Sequence, residues 1–146
     1  MLFRSHLARA GTQLSVLARG DTLAAVQRQD LQLHQGGQHH SVAVRASQDA
    51  AELGVQDLVV VAVKAPALAS VATQIGPLLG PHTVVLTAMN GVPWWFFQQL
   101  DGPCKGLQLQ SVDPGGRVAA LIPADRVIGS VVHASCATPE IGRAHV

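Results

Sequence analysis

The chain has 146 residues, of which 48% are hydrophobic and 13% charged, and ten Lys and Arg against nine Asp and Glu give a formal net charge of +1. This length suits one ordinary domain with a sizeable core, and the near-neutral balance supplies no basic field of the kind that holds nucleic acid. No apolar run approaches the roughly 20 residues that span a bilayer, and the N-terminus lacks the apolar segment of a signal peptide.

Residues 7–10 read as the end of a helix stopped by Gly11, since glycine tolerates the left-handed backbone of a helix terminus. A short strand follows at 13–18, and the turn Arg19-Gly20-Asp21-Thr22 leads into a helix over 23–30 with Asp21 as its N-cap. Residues 31–34 and 41–44 alternate apolar and polar around Gly36-Gly37, the pattern of a β-hairpin. One helical turn is expected at 50–53. Residues 57–63 then form a continuous apolar strand, Asp57-Leu58-Val59-Val60-Val61-Ala62-Val63, that meets a cation at Lys64. Beyond Pro66 the spacing of Leu68, Val71, Ile75 and Leu78 predicts a helix with one apolar face, stopped at Gly80-Pro81. A second buried strand covers 82–88, and Pro93 opens a short aromatic helix through Trp94, Trp95, Phe96 and Phe97. A turn at 111–116, a brief helix at 117–122 and a last strand at 127–133 complete the pattern. Strands alternating with helices imply βαβ units around a parallel sheet covered on both faces, which also accounts for the low charge content.

The polar groups at the ends of these strands are the candidate site, because open α/β sheets bind ligands beyond the carboxyl ends of their strands. Arg19 follows the first strand, where a dinucleotide fold meets the adenosine ribose. A planar guanidinium there pairs with the 2′-phosphate of NADP, whereas an acid would bind the 2′-hydroxyl of NAD. The alternative is a solvated turn arginine. Lys64 ends the 57–63 strand, and an unpaired buried ammonium costs several kcal/mol. Its charge therefore meets either a ligand carboxylate or ribose edge, or water by extension of its stem. Asn90-Gly91 is either part of the same site or simply a turn dipeptide. The aromatic cluster at 94–97 reads as core or lid packing. His39-His40 has no third ligand at metal spacing, and no His stands where a hydrolytic triad would need one after Ser111. Cys104 and Cys136, far apart and outside any motif, suit reduced thiols in the cytosol.

Together, the runs Leu7-Ala8-Arg9-Ala10-Gly11, Val16-Leu17-Ala18-Arg19-Gly20, Asp57 to Lys64 with Ala65, Asn90-Gly91-Val92-Pro93-Trp94-Trp95 and Arg126-Val127-Ile128-Gly129 resemble the 2-dehydropantoate 2-reductase (ketopantoate reductase) family. The resemblance implies an α/β fold with a Rossmann-like NADP-binding domain built on a parallel sheet. It also implies NADPH-dependent reduction of a 2-keto acid, 2-dehydropantoate, to (R)-pantoate on the route to pantothenate and coenzyme A. Carried over by position, Arg19 would hold the 2′-phosphate, Lys64 and Asn90 would lie beside nicotinamide and substrate, and the backbone near Ser135 would line the cofactor cleft. The implied partner is a small-molecule keto acid, with no nucleic acid, membrane or metal, in the cytoplasm. Two other readings stand beside it: a reductase of another 2-keto or 3-hydroxy acid, and a non-catalytic nucleotide-binding or interaction module.

The departures from the family are as specific as the match. The opening strand and its G-x-G-x-x-G loop have no counterpart before Leu7, and the family's general-acid lysine belongs to a helical C-terminal domain that this sequence does not contain. No catalytic residue is therefore assigned, and the expected fold is an incomplete Rossmann-like domain over residues 6–139, inactive by itself. Residues 1–5 and 140–146 can be encoded by stretches resembling short-read sequencing adapters, and are expected to be non-native ends.

Overall fold

The computed structural model describes residues 7, 10–35, 37–133 and 143–145. They divide into two compact units, one made of the described residues up to Leu53 and from His133 onward, the other of Gly54–Val132.

In the first unit, Gly11 takes φ +83° and the Thr12 N–H reaches the Leu7 carbonyl at 3.2 Å, the turn expected there. Strand β1 (Ser15–Leu17) leads through Arg19 into helix α1 (Gly20–Gln29). The helix begins three residues earlier than the apolar pattern predicts. Arg19 rather than Asp21 occupies the cap position, with an extended backbone and no side-chain cap bond, while Asp21 lies in the first turn, where a carboxylate suits the helix dipole. Asp30 then takes φ +60°, the one positive φ outside glycine among the described residues, and swings the chain directly into the next strand. That strand, β2 (Leu31–Gln35), forms the expected hairpin with β3 (Gln38–Val42), Leu31 facing Val42 and Gln35 facing Gln38. On its other side β2 pairs in parallel with β8 (Arg143–His145).

A strand the alternation did not disclose, β4 (Arg45–Ser47), pairs in parallel with β1, Ser15 opposite Arg45 and Leu17 opposite Ser47. Its three residues are too few for a period to register. It leads into the single helical turn α2 (Ala50–Leu53), fastened by the Ser47 hydroxyl, which donates to Glu52 Oε2 at 2.5 Å and accepts the Asp49 N–H at 3.0 Å. Val16, Val26 and Leu31 form the core of this unit, with Leu14, Ala18, Val44 and Ala46 packed against it. Helix α1 thus buries its face against the strands before and after it.

The second unit is a parallel sheet of three strands, β5 (Gln56–Val61), β6 (Leu79–Ala88) and β7 (Val127–Ser130), in the order β5-β6-β7. Val59 faces Val85, Val61 faces Thr87, and across the other edge Val85 faces Val127 and Ala88 faces Ser130. The central strand is the most enclosed, with Val85 wholly buried.

Five local expectations change in this unit. Strand β5 ends at Val61, two residues short of the expected 57–63 run, and only Val59 and Val61 of it are buried. The helix after Pro66 is not continuous: a tight turn at Ala65–Ala67 precedes α3 (Leu68–Ala72), and a second tight turn follows at Gly76–Leu78. Pro77 has no N–H to continue the α ladder, so the helix yields to a turn. The apolar face survives the break, with Leu68, Ile75 and Leu78 buried and Val71 half-buried. Gly80-Pro81 lies inside β6 rather than before it, in the interval where the register with β5 shifts between Gln56 and Leu58 and no ladder donor is required of proline. Thr83 closes that irregularity: its hydroxyl donates to the Gln56 carbonyl at 2.6 Å and accepts the Gly80 N–H at 2.7 Å. The aromatic residues 94–97 form successive turns, not a helix, with Phe96 N–H bonded to Pro93 O at 3.2 Å and Gln98 N–H to Trp95 O at 3.0 Å. The last strand stops at Ser130, three residues short of its predicted end.

Helix α4 (Arg117–Leu121) is held from beneath by a buried carboxylate. Asp113 accepts the Val118 N–H on Oδ1 at 2.9 Å and the Ala119 N–H on Oδ2 at 3.0 Å, satisfying two donors that a helix start otherwise leaves unpaired. The helix then presents Val118 to the core beside Ile122 and Trp94, whose indole N–H donates to the Ile122 carbonyl at 3.3 Å. Replacing Asp113 by Ala leaves two amide donors without their acceptors and is expected to cost about 1–3 kcal/mol, read as a lower urea midpoint with an unchanged slope. An unchanged midpoint would show that the carboxylate does not hold the helix.

Candidate functional site

Because β5, β6 and β7 run parallel, their carboxyl ends lie on one side of the sheet, and the chain leaving each strand turns across that side. The exits enclose a cavity of about 860 Å³. Ala65, Pro66 and Leu68 come from the segment after β5, Met89 and Asn90 from the end of β6, and Gly129 and Ser130 from the end of β7. The aromatic turns and the loop before α4 complete the lining with Trp95 and Ser111. The wall is mostly apolar with a few hydroxyl and amide groups, the composition of a small-molecule site.

Asn90 organises the rim. Its carboxamide oxygen accepts the Val132 N–H at 2.8 Å and its amide donates to the Val132 carbonyl at 3.2 Å, so one side chain reproduces a rung of strand pairing just past the end of β7. The neighbouring hydroxyls act across the same strands: Ser130 donates to Thr87 O at 3.0 Å and Thr87 to Ile128 O at 3.4 Å. Three side-chain donors and one acceptor at the strand ends are thereby fixed in place. Gly91, at φ +99°, lets the chain leave Asn90 without strain.

Lys64 is exposed and occupies the cap position of the turn after β5, its carbonyl accepting the Ala67 N–H at 2.9 Å. The two residues that follow it line the cavity. The single ion pair among the described residues joins Lys105 to Asp101, so Lys64 has no described carboxylate partner. Lys64 and Asn90 thus both follow strands of the one sheet, although Lys64 does not itself line the cavity and Asn90 already spends a donor and an acceptor on Val132. Arg19 is exposed at the start of α1 in the other unit. Ser135 lies outside the described residues, as does Cys136. Cys104 is an exposed free thiol. Among the described residues no cluster of His, Cys, Asp and Glu is suited to a metal ion, and no helix is long and apolar enough to cross a membrane.

Several site residues escaped the sequence reading. Thr87 and Ser130 sit in strands read only for their apolar character, and Gly129 seats the ring of Trp95. A Cβ at position 129 would lie 2.6 Å from Trp95 Cζ2 and closer still to Cη2, so only glycine fits beneath that indole. The readable signal was the clustering of small residues, Gly129-Ser130, at a strand end.

A parallel sheet with a ligand-sized cavity across its carboxyl ends defines an α/β protein of the Rossmann-like type. The comparisons narrow the class. The sequence profile described as ketopantoate reductase PanE/ApbA matches residues 1–94, and the chain belongs to that family. It is 51% identical over 130 residues to a 2-dehydropantoate 2-reductase from Mesorhizobium japonicum, an alignment covering 88% of this chain and 40% of the relative. A crystal structure assigned as a ketopantoate reductase from Ralstonia solanacearum superposes with a TM-score of 0.95 at 54% identity, covering 99% of this chain and 44% of that one. A 2-dehydropantoate 2-reductase from Geobacter metallireducens shares the fold at 24% identity, with a TM-score of 0.74 over 99% of this chain and 42% of that one. The chain thus spans about two fifths of the length of the relatives it matches.

The Asn90 clamp predicts a split between two substitutions. Asn90→Ala removes both bonds to Val132 and is expected to speed hydrogen exchange of the Val132 amide about threefold to tenfold, the equivalent of a bond worth about 1 kcal/mol. Asn90→Asp keeps the acceptor and is expected to retain most of that protection, while losing the bond to the carbonyl. Equal exchange in all three proteins would contradict the clamp.

Proposed function

We propose that this chain is the cofactor-side part of a reductase that carries hydride from NADPH to C2 of 2-dehydropantoate, giving (R)-pantoate on the route to pantothenate and coenzyme A in the cytoplasm. The observation that supports this most strongly is the cavity at the ends of β5, β6 and β7, in a chain 51% identical to a 2-dehydropantoate 2-reductase. The residues present fit a nicotinamide: an apolar wall suits the ring face, and carboxamide and hydroxyl groups at the rim suit its amide. When bound, the nicotinamide supplies the hydride.

The chain's own residues would bind and orient. Arg19 would hold the 2′-phosphate through its planar fork and so select NADPH over NADH. Lys64, exposed and without a described carboxylate, would attract the negative charge of substrate or cofactor, and Asn90, held by Val132, would direct its remaining donor and acceptor capacity at nicotinamide and keto acid. By the family resemblance the backbone near Ser135 would line the cofactor cleft. Reduction of a ketone moves the C=O electron pair onto oxygen as hydride reaches carbon, and that oxygen must take up a proton. By the family resemblance the donor is a lysine of the helical domain, which these 146 residues do not include.

Two outcomes are expected. The isolated chain shows no turnover and no saturable NADPH binding at micromolar concentration; a micromolar dissociation constant would contradict this. In a protein extended to the length of the relatives, Arg19→Ala is expected to reduce the preference for NADPH over NADH at least tenfold, through KM for NADPH rather than kcat. A preference unchanged by Arg19→Ala would remove the assigned role of Arg19. Reduction of other 2-keto acids in place of 2-dehydropantoate would move the assignment to a related reductase.

A further inference from the structure

In the second unit the indole of Trp95 packs on the backbone of Gly129. The ring lies so close to β7 that no other residue fits at 129 without moving it. Its N–H is buried and has no hydrogen-bond partner, in contrast to that of Trp94, which is bonded to Ile122. Leaving such a donor unpaired is costly, so the ring's place is set by shape rather than by its polar atom. Trp95 also faces two spaces. It lines the cavity of about 860 Å³ at the strand ends and a second cavity of about 180 Å³, bounded also by Phe96, Gln99, Leu100, Ala124 and Val127. The polar groups of the first cavity, Asn90, Ser130 and Thr87, belong to the strand ends, whereas the second is lined mainly by apolar side chains.

We propose that Trp95, seated on Gly129, is the wall that limits the side chain of the keto acid. The substrate class is then 2-keto acids with short aliphatic side chains, the carboxylate and carbonyl facing the remaining amide N–H of Asn90 and the alkyl group stopping against the indole. This rests on the assignment of the larger cavity to the keto acid made above. The second cavity is an annex that the indole closes, and the glycine at 129 is required because the wall must lie flat against β7. A side chain at 129 would push the ring into the larger cavity and shorten the space further.

The test uses the 146-residue chain and straight-chain 2-keto acids from 2-oxobutanoate to 2-oxooctanoate, titrated while following backbone amide and indole N–H signals by NMR. The chain has only two tryptophans, so the Trp95→Ala spectrum assigns both indole signals. In the unsubstituted chain affinity is expected to rise with length and then level off, with the Trp95 signal shifting more than that of Trp94, whose ring also lines the larger cavity but whose N–H is held by Ile122. In Trp95→Ala the rise is expected to continue by up to about fourfold for each further methylene buried, making 2-oxooctanoate at least tenfold tighter than in the unsubstituted chain. Trp95→Phe, which keeps an aromatic wall, is expected to fall between, and Gly129→Ala to weaken the longer acids. If short acids bind and Trp95→Ala and Trp95→Phe leave the length dependence unchanged, the wall is wrong and the assignment of the cavity stands. If no acid of any length binds the unsubstituted chain or the variants, both the wall and the assignment of the cavity are overturned.

Discussion

A parallel strand cannot return to its neighbour by a tight turn, and this constraint shapes the second unit. Each of β5, β6 and β7 must exit at the same end and travel back before the next begins. The exits therefore crowd together beyond the strands, where the sheet's own hydrogen bonding has ended and its core packing has not. A cavity forms there because backbone diverges from the strand ends faster than side chains fill the gap. The ligand site is a product of strand direction before any particular side chain is considered.

What holds the sheet and its open end is a small set of satisfied polar groups. Thr83 repairs the register shift at the start of β6, Asn90 extends pairing past the end of β7, and Asp113 supports the first amides of α4. Each replaces a missing backbone partner with a side-chain one, in a chain with few charges to spend. Trp94 and Trp95, adjacent in sequence, divide the work on the aromatic turns: one is fully buried and bonded to Ile122, the other stands between two cavities with its N–H unpaired. Buried polar groups without partners are uncommon in folded chains, and Trp95 Nε1 is one of only two such side-chain atoms among the described residues.

The sequence revealed the elements whose residues agree locally. The apolar runs of β5 and β6 read as parallel strands, although β5 buries only Val59 and Val61; the alternation around Gly36-Gly37 read as a hairpin, and Lys64 and Asn90 stood out because a polar group closed each apolar run. Features set by distant partners were not legible. The second bonding face of Asn90 lies 42 residues away at Val132, and nothing near Asn90 announces it. The same holds for Gly129, whose side-chain absence has meaning only beneath Trp95. The helix after Pro66 was misjudged for a different reason: its apolar spacing was right, but proline at 77 broke the backbone while leaving the buried face intact.

The central claim is that the cavity beyond β5, β6 and β7 receives the reacting ends of nicotinamide and keto acid. Its most direct test is deuterium transfer from the C4 position of labelled NADPH to C2 of 2-dehydropantoate, in a protein extended to the length of the relatives. Ala69 lines the cavity, so an Ala69→Trp variant would fill it. The account predicts label at C2 of the product in the unsubstituted protein and its loss in the filled one. Absence of transfer, or undiminished transfer with the cavity filled, would contradict it.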